Sequence, residues 1–570
     1  MIWTIFFFIS VAAAVICAVM IIMPIGKNGR RINALRALFA LCFVMTVALT
    51  LPANLSENGT DAVGVFKSIV TSLQRGIRVF GADGMSSTIF AEISSAPQWL
   101  AGAYLMLTLV VQLVAPLLAV SFLLSFFKNV SAYARYALAF GRDAYVFSDI
   151  NERSLTLARD ILDKSPTARV VFAGVFSDEQ TDKANALGAI CFKKDITDIR
   201  FGFHSKRKQI CFFTIGNDEI ENVNDSLKLI DKYNSKDNAR LYIFSKGMES
   251  ELLLAGKTEG RMKVRRIDEV HSMVTRILYE NGIRVFESAA PTEGGKQISA
   301  IVVGTGERGT EMIKALSWYG QMDGYKLSIT ALDKDKLAHE KFAAQCPELL
   351  GDEYDIEICP GIDVDTKSFA DKIAQIESAT YVFVSLGSDE RNVSVAVTLR
   401  MMFERMGIKP IIQAVVNNTQ ARAMLACARK SKKQSYDIDF VGDVRTLYSW
   451  DVIIASELER GAFERHKSYC NGDKEAEHDF WRYEYCYRSS MAAEVHARVC
   501  DKLFTDLTAD ERGALEHRRW KAYMRADGYI YSGSPDRASR NDLGKMHNNL
   551  TDVLTADDKA KDARISATIE

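Results

Sequence analysis

Three long apolar stretches organise the first part of the chain, and their hydrophobic pattern predicts membrane-spanning helices. They are residues 1–23, 32–52 and 99–127, joined by a short basic connection and by the longer segment 53–98. Each is about long enough to cross a hydrocarbon core of roughly 30 Å as a helix. No basic residue precedes the first stretch, as one would in a signal peptide, so we expect the chain to retain it.

Basic residues at the ends of these stretches predict their orientation. One cluster lies at 27–31 and another at 128–142. Such clusters favour the cytoplasmic side of a membrane. Both can lie there only if the chain crosses three times, with its N-terminus and the loop 53–98 outside. The pattern therefore predicts a multi-pass protein of the cell (inner) membrane, with everything after residue 127 in the cytoplasm.

The outer loop admits two interpretations. Residues 79–84 read Val-Phe-Gly-Ala-Asp-Gly, which is faintly similar to a potassium-channel filter and lies between two predicted spans. A cation filter needs carbonyl oxygens in a neutral or negative surround. Arg75 and Arg78 stand close by and would repel cations. The loop is either a selectivity filter or a segment that packs on the bilayer.

From Asp143 onward, short β-branched and aromatic runs alternate with amphipathic helical periods, which is typical of parallel α/β sheets. The series restarts after about 150 residues, so the sequence predicts two Rossmann-like, doubly wound parallel sheets in tandem, at 143–290 and 296–445. The predicted strands are 144–148, 169–175, 189–192, 209–215, 240–244 and 264–267, then 298–303, 326–332, 356–359, 380–384, 411–416 and 438–441.

The second copy carries a candidate nucleotide site. Gly304, Gly306 and Gly309 follow a predicted strand and open a helix, as a dinucleotide fingerprint requires. The first two glycines allow a tight turn and close approach of a pyrophosphate, and the third allows close helix–strand packing. Asp333 closes the next strand, where a carboxylate would bind ribose hydroxyls. The alternative is that these glycines only form a turn in a fold that binds nothing.

The first copy lacks this pattern. Asp149 and Glu152 stand near the helix start and would repel a phosphate, and no acid closes its second strand at Gly174 and Val175. We expect this copy to have lost nucleotide binding and to serve packing or dimerisation. The basic run from Arg261 to Arg266 is either a solvated strand edge or an anion site.

Composition narrows the function further. The net charge is −1, which gives no global attraction for nucleic acid, so no direct nucleic-acid binding is expected. The ten cysteines include no C-x-x-C pair, and no histidine pair has metal-ligand spacing, so no metal is predicted. No residue of the pattern supplies a hydride-transfer acid or base, which favours a sensor over an enzyme.

The second copy resembles the nucleotide-binding domain of Trk potassium-uptake regulators, which is also the RCK domain of ligand-gated potassium channels. The resemblance rests on Val302–Gly309, Ala331–Asp335, Gly361–Asp363 and Ser388–Asn392. It implies binding of NAD(H), an adenine nucleotide or a cyclic nucleotide, and assembly into dimers or tetramers that move a membrane pore. Carried over to this chain, the resemblance places Gly304, Gly306, Arg308 and Gly309 on the phosphates, Asp333 on the ribose, and Asp363 and Ser385 beside them.

The end of the chain, at 475–570, resembles the ryanodine-receptor repeat (RyR) domain, a small α-helical module. The resemblance rests on Ala514–Trp520, Gly528 and Tyr529, and Lys545–His547. The aromatic residues of this region form either a pocket for a flat ligand or the core of the domain. The residues concerned are His517, Trp520, Tyr523, Tyr529 and His547.

Together these features predict three transmembrane helices, two α/β domains and a helical domain, in a nucleotide sensor that gates or regulates ion flux, with potassium as the expected ion. The architecture resembles bacterial effectors triggered by nucleotide messengers in antiviral defence. Two alternatives stay open: a regulatory scaffold for a separate cation transporter, and a membrane-anchored NAD-dependent oxidoreductase.

Overall fold

The structure is a computed structural model, in which the chain forms two compact units, Met1–Leu138 and Ala139–Glu570. Each unit is described by itself. The residues described are 2–22, 34–83, 89–90, 92–93, 96–126, 128–138, 142–202, 208–247, 253, 260–418 and 437–567.

The first unit is helical. Two of its helices are long and apolar enough to cross a membrane, over Ala37–Asn58 and Gln98–Ser121, whereas the apolar part found in the first helix is the shorter Ile2–Ile16. Among the described residues, length and composition therefore support two candidate spans rather than the three predicted. The helices are α1 (Ile2–Ile22), α2 (Ala34–Asn58), α3 (Ala62–Arg78), α4 (Gln98–Phe126) and α5 (Lys128–Leu138).

The predicted outer loop 53–98 is partly helical, which corrects the boundary expected at residue 52. Helix α2 continues through Pro52 to Asn58, and α3 follows almost at once. Small residues recur every four positions on the buried face of α3, at Gly64, Ser68, Ser72 and Gly76. They let α3 lie close to α2, where the Asn54 amide donates to Ser72 Oγ at 2.7 Å.

The segment similar to a channel filter begins as a helical turn. Val79–Gly81 is a 3-10 turn, and the Val79 carbonyl accepts from the Ala82 N–H at 3.2 Å. The Phe80 ring stacks on Phe39 with centroids 3.9 Å apart. A filter would present its carbonyls to an ion, so residues 79–83 do not have that conformation; Gly84 lies outside the described residues.

The second unit contains two parallel six-stranded ladders, as the alternating pattern predicts. Their strand orders are β3-β2-β1-β4-β5-β6 and β10-β9-β8-β11-β12-β13, and a short β7 adds an antiparallel hairpin to the second sheet. The first sheet comprises β1 (Ala144–Phe147), β2 (Arg169–Ala173), β3 (Ile190–Phe192), β4 (Ile210–Thr214), β5 (Ala239–Phe244) and β6 (Lys263–Ile267). The second comprises β7 (Ala290–Thr292), β8 (Gly295–Val303), β9 (Tyr325–Asp333), β10 (Asp355–Pro360), β11 (Tyr381–Val384), β12 (Ile411–Val415) and β13 (Ile438–Val441).

Helices connect most of the successive strands and cover the sheets, and the strands β1, β4 and β11 near the sheet centres are fully buried. Those of the first sheet are α6 (Glu152–Lys164), α7 (Asp178–Ala186) and α8 (Glu219–Tyr233), followed by α9 (Glu269–Asn281) and α10 (Ile283–Glu287). Those of the second are α11 (Glu307–Tyr319), α12 (Ala338–Gln345), α13 (Lys367–Ala374) and α14 (Asp389–Met406).

The strand order reverses between β1 and β4, and again between β8 and β11. Ligands of such sheets bind beyond the carboxyl ends of the strands at this switch point. In the second sheet Val303 pairs with Leu332 on one side and with Val384 on the other. The loop that begins at Gly304 therefore lies between the ends of β9 and β11.

The remaining helices follow the second sheet. Helix α17 packs against α19 through a buried ion pair between Arg465 and Glu494, 2.5 Å apart. Two short parallel strands, β14 and β15, supplement the region predicted to be purely helical. The elements are α15 (Val444–Leu447), α16 (Trp450–Ile453), α17 (Glu457–Tyr469), α18 (Ala476–Arg482), α19 (Glu484–Leu503), α20 (Ala509–Ala526), β14 (Ile530–Tyr531), β15 (Met546–His547) and α21 (Ala556–Ser566).

The basic run on β6 is neither a wholly solvated edge nor an anion site. Arg266 makes two hydrogen bonds to the Glu484 carboxylate, at 2.5 and 2.7 Å, and its side chain is 4% exposed. Arg265, also nearly buried, forms an ion pair with Glu459. Lys263 pairs with the largely exposed Glu477 at 2.7 Å. The edge strand is thus covered by the helices that follow the sheets.

Glu484→Gln should lower the free energy of unfolding by about 3 kcal/mol, because it removes a carboxylate charge that pairs with two largely buried arginines, Arg266 and Arg488. The matched change at the same strand, Glu477→Gln, breaks an exposed pair and should cost well under about 1 kcal/mol. Thermal unfolding of the purified full-length protein compares the two variants. Equal melting points for both would contradict a buried ion pair at β6.

Candidate functional site

A cavity of about 490 Å³ lies at the carboxyl end of the second sheet. Its wall includes the loop after β8, the end of β9 and helix α12, and residues after β5 and β6 of the first sheet close it on another side. The residues that matter for its chemistry are Gly306, Asp333 and Asp335, with Lys246, Lys314 and Lys341.

The three glycines of the fingerprint have three different roles. Gly304 has φ of +93°, and a side chain there would meet the Ser385 carbonyl oxygen 2.2 Å away. A side chain at Gly309 would meet the Gly304 carbonyl at 1.8 Å, so this glycine lets α11 pack against the loop. A side chain at Gly306 would have no atom within 4 Å. Gly306 therefore leaves open space at the start of a helix, where a phosphate would approach the backbone.

Asp333 lies opposite this loop and holds it. One carboxylate oxygen accepts from the Thr305 N–H at 2.5 Å and from the Thr305 hydroxyl at 2.9 Å. The other accepts from the Asp335 N–H at 2.7 Å. Asp333 thus sits at the cavity wall, with its two oxygens turned to its own turn and to the glycine loop. Ribose hydroxyls would have to join or replace these bonds.

The other predicted residues lie around the site rather than in its wall. Ser385 places its carbonyl against Gly304, and its N–H donates to the Val303 carbonyl at 2.9 Å. Asp363, which follows β10, accepts from Arg391 at 3.4 Å. Arg308 is half-buried on the first turn of α11 and has no ion pair within the described part of the chain. Of the predicted set, Gly306 and Asp333 alone line the cavity.

The acidic side chains of α11 are functional candidates that the sequence pattern did not indicate. Glu307 pairs with Lys246 at 2.9 Å. Glu311 pairs with His271 of α9 at 2.7 Å. Burial raises the pKa of Glu311, but the hydrogen bond and charge of His271, with help from Lys314 and Arg488, outweigh it and bring that pKa to about 2. The sequence shows that acids follow the glycine loop on this helix. It does not show that their partners lie on the other module.

The corresponding loop of the first module is closed by its own side chains. Asn151 caps α6 by accepting from the Ser154 N–H at 2.9 Å, and it donates to the Ile215 carbonyl at 2.7 Å. Asp149 accepts from the Ile150 N–H at 2.8 Å. These bonds use the donors that a phosphate would contact.

A repeated asparagine holds the neighbouring loop in both modules. Asn222 accepts from the Gly216 N–H at 2.7 Å and donates to the Phe244 carbonyl at 2.9 Å. Asn392 accepts from the Leu386 N–H at 2.5 Å and donates to the Val415 carbonyl at 2.8 Å. The internal repeat is therefore present in the hydrogen bonding as well as in the sequence.

A second cavity, of about 520 Å³, lies among the C-terminal helices. It brings together three of the five aromatic residues singled out there: His517, Trp520 and His547. The Trp520 ring stacks on His517 with centroids 5.7 Å apart and meets the His547 ring edge-on at 4.9 Å. The other two do not line the cavity.

Those two residues belong to the packing of the region. Tyr523 is buried and contacts Trp318 of α11, with ring centroids 6.3 Å apart. Tyr529 is buried behind His547, with a centroid separation of 6.5 Å. Burial, together with the charge of Arg540, lowers the pKa of His547 to about 4, so its imidazole is neutral at pH 7.

No protein-family model matches the sequence, and no curated protein matches it significantly. Solved structures of GsuK are similar to part of the chain. GsuK bound to ADP is 12% identical with a TM-score of 0.35, over 74% of this chain and 98% of that one. The GsuK channel is 12% identical with a TM-score of 0.34, over 73% and 94%. The GsuK RCK domain is 12% identical with a TM-score of 0.34, over 57% and 78%. The assignment of the site rests on the geometry of the chain itself.

Gly309→Ala should destabilise the protein by about 1–3 kcal/mol, because its methyl group would overlap the Gly304 carbonyl. Gly306→Ala is the matched control: it projects into open space from an ordinary backbone conformation and should stay within about 1 kcal/mol of the natural chain. Melting points of the two variants test the geometry of the loop. A larger loss for Gly306→Ala would contradict it.

The stability of the C-terminal region should decrease with acidity. The usual pKa of histidine is 6.5, and that of His547 is about 4. Between these two pH values the imidazole is protonated in the unfolded chain but not in the folded chain, so acid favours unfolding. His547 should therefore cost about 2 kcal/mol of stability between pH 7.5 and pH 5. His547→Gln should reduce the fall in melting point between pH 7.5 and pH 5. His339→Gln removes an exposed histidine and should leave that fall unchanged. An unchanged fall in His547→Gln would contradict the assignment.

Proposed function

We propose that the chain is a membrane-attached nucleotide sensor whose Rossmann-like modules regulate ion flux. The observation that carries this proposal is the open space in front of Gly306, at the switch point of the second sheet and opposite Asp333. A helix begins there with its N–H groups directed outward, which favours a phosphate. A dinucleotide or a mononucleotide with free ribose hydroxyls fits this combination.

The charged side chains of the cavity wall limit which nucleotides the cavity favours. Its wall carries three lysines and five carboxylates, among which Lys246 and Lys341 are paired with Glu307 and Asp335. A triphosphate would bring about four further negative charges into this acidic surround. A pyrophosphate-bridged dinucleotide or a cyclic dinucleotide brings fewer. We therefore place NAD(H) and cyclic nucleotides ahead of ATP, with ADP between them.

The walls of the cavity connect it to the C-terminal helices, as a sensor requires. Helix α12 lines the cavity. The residues that follow it contact α20: the Cys346 thiol donates to the Ala526 carbonyl at 3.2 Å, and Glu348 pairs with Arg525 at 2.9 Å. A ligand that displaces α12 would act on these contacts. It shifts the equilibrium between two arrangements only by its different affinity for them.

The membrane part of the proposal follows from the sequence. A multi-pass topology, an external N-terminus, cytoplasmic modules, assembly into a dimer or tetramer and potassium as the ion all belong to it, as does lipid as a partner. The resemblance to the RyR domain and a role as an effector in antiviral defence also stay proposals. Helix α5, which follows the last candidate span, would transmit the movement.

Two other functions stay testable. A scaffold that controls a separate cation transporter would bind nucleotide but show no flux of its own in vesicles. A membrane-anchored NAD-dependent oxidoreductase would turn over reduced cofactor. The second is disfavoured because Glu311, an acid of the cavity wall, has a pKa of about 2 and so does not donate a proton at neutral pH.

Gly306→Asp should abolish nucleotide binding, because it places a carboxylate where the phosphate would lie. In a thermal-shift assay of the full chain, a nucleotide at a hundred times its Kd should add about 2.7 kcal/mol of stability. NAD, NADH, ADP, ATP and a cyclic dinucleotide form the panel. Gly351→Asp adds the same charge to the same module outside the cavity and should leave the shift intact.

A shift that survives Gly306→Asp would contradict the site, and no shift with any nucleotide would contradict the function. Asp333→Ala should weaken nucleotides with free ribose hydroxyls more than their 2′-phosphorylated forms, since Asp333 accepts from the hydroxyls and repels the phosphate. Equal losses would mean that Asp333 only holds the loop.

A further inference from the structure

The cavity among the C-terminal helices is large enough for a ligand of its own. Its volume of about 520 Å³ lies in the range of small-molecule sites, and side chains from α17, α19, α20 and α21 form its walls. Protein cores are close-packed and leave few voids larger than a water molecule. Space of this size among aromatic side chains therefore argues against a plain core for the residues that line it.

Trp520 offers a flat surface in this cavity. It is half-buried, with His517 on one side and His547 at its edge. Within the described part of the chain its indole N–H has no hydrogen-bond partner. Tyr485, whose residue surface is 46% exposed, lies at the same cavity. A half-exposed indole and a phenol are the groups on which planar heterocycles stack.

Two buried residues of the wall, His466 and Ser490, offer polar groups without a formal charge. His466 is buried, and its Nδ1 lies 3.4 Å from the Ser490 hydroxyl. Burial lowers the pKa of His466, as it does for His547. Neutral imidazoles and a hydroxyl can each donate or accept a hydrogen bond. They suit the ring nitrogens and amino groups of a heterocycle.

The wall of the cavity as a whole is acidic, which disfavours phosphates. It has five carboxylates against three cationic side chains, and one of these cations, Lys561, pairs with Asp557 at 2.6 Å. Asp562 lies 3.2 Å from His517. A polyphosphate would meet this negative charge with little to offset it, whereas an uncharged ribose and ring would not.

We propose that this cavity is a second ligand site, for an uncharged nitrogen heteroaromatic compound of about the size of a nucleoside. The ring stacks on Trp520 between the two imidazoles, and the sugar or substituent lies toward Tyr485 and the acidic helix α21. This site is separate from the cavity at Gly306 and does not depend on the function proposed for it.

Adenosine is the probe, and isothermal titration of the full-length protein is the measurement. Adenosine should bind the natural chain, and Trp520→Ala should weaken it about 5- to 100-fold through the lost stacking. Tyr485→Ala, at an exposed position that does not threaten folding, should weaken it several-fold. Leu543→Ala is the matched control, because Leu543 is 92% exposed and lies outside the cavity.

Asp333→Ala separates the two sites, since adenosine in the first cavity would depend on that carboxylate for its ribose. Retained adenosine binding in Asp333→Ala, with loss in Trp520→Ala and Tyr485→Ala, supports the proposal. Three results would overturn it: no adenosine binding, loss of binding in Asp333→Ala alone, or tighter binding of ADP than of adenosine that depends on Trp520.

Discussion

The approach of the loop after β8 to the end of β11 is the constraint on which the candidate site depends. The Gly304 backbone lies so close to the Ser385 carbonyl that no side chain fits between them, and Gly309 in turn lies against Gly304. This contact fixes where α11 begins and therefore where its free N–H groups point. Asp333 can accept a hydrogen bond from the Thr305 N–H because this contact brings the loop close to the end of β9.

The first module shows what happens without that approach. Its loop has Asp149 and Asn151 in place of glycines, and their side chains satisfy the local donors. The sheet order and the asparagine bond after the fourth strand are the same in both modules. At this loop the two copies differ in a few side chains, and those side chains separate a closed turn from an open cavity. In the proposed sensor, the closed copy serves as a rigid wall that contributes Lys246 to the open one.

Most of the α/β fold could be predicted from the sequence because its signal is local. A parallel strand buried on both faces reads as a short apolar run, and all twelve predicted strands are present within a few residues of their expected ends. The ion pairs between distant elements could not be predicted. In the sequence, Arg266 is one more basic residue of a run that could be exposed. In the structure it forms a buried ion pair with Glu484, more than two hundred residues later. The same holds for Glu311, whose partner His271 lies on another module.

Helix α20 connects the two cavities, because one of its faces lines the C-terminal cavity and the neighbouring face forms ion pairs with the second module. His517, Trp520 and Met524 recur at helical spacing and line the C-terminal cavity. Each of the positions Arg518, Lys521 and Arg525 lies one residue further on, about 100° around the helix, and pairs with carboxylates of the second module. Glu348, which accepts from Arg525, lies three residues after the end of the helix that lines the Gly306 cavity. In the proposed sensor, a ring at Trp520 that turned this helix would strain its ion pairs, so the helix offers one route by which occupation of either proposed site would act on the other. By thermodynamic reciprocity, the factor by which one ligand changes the affinity of the second equals the factor by which the second changes the affinity of the first.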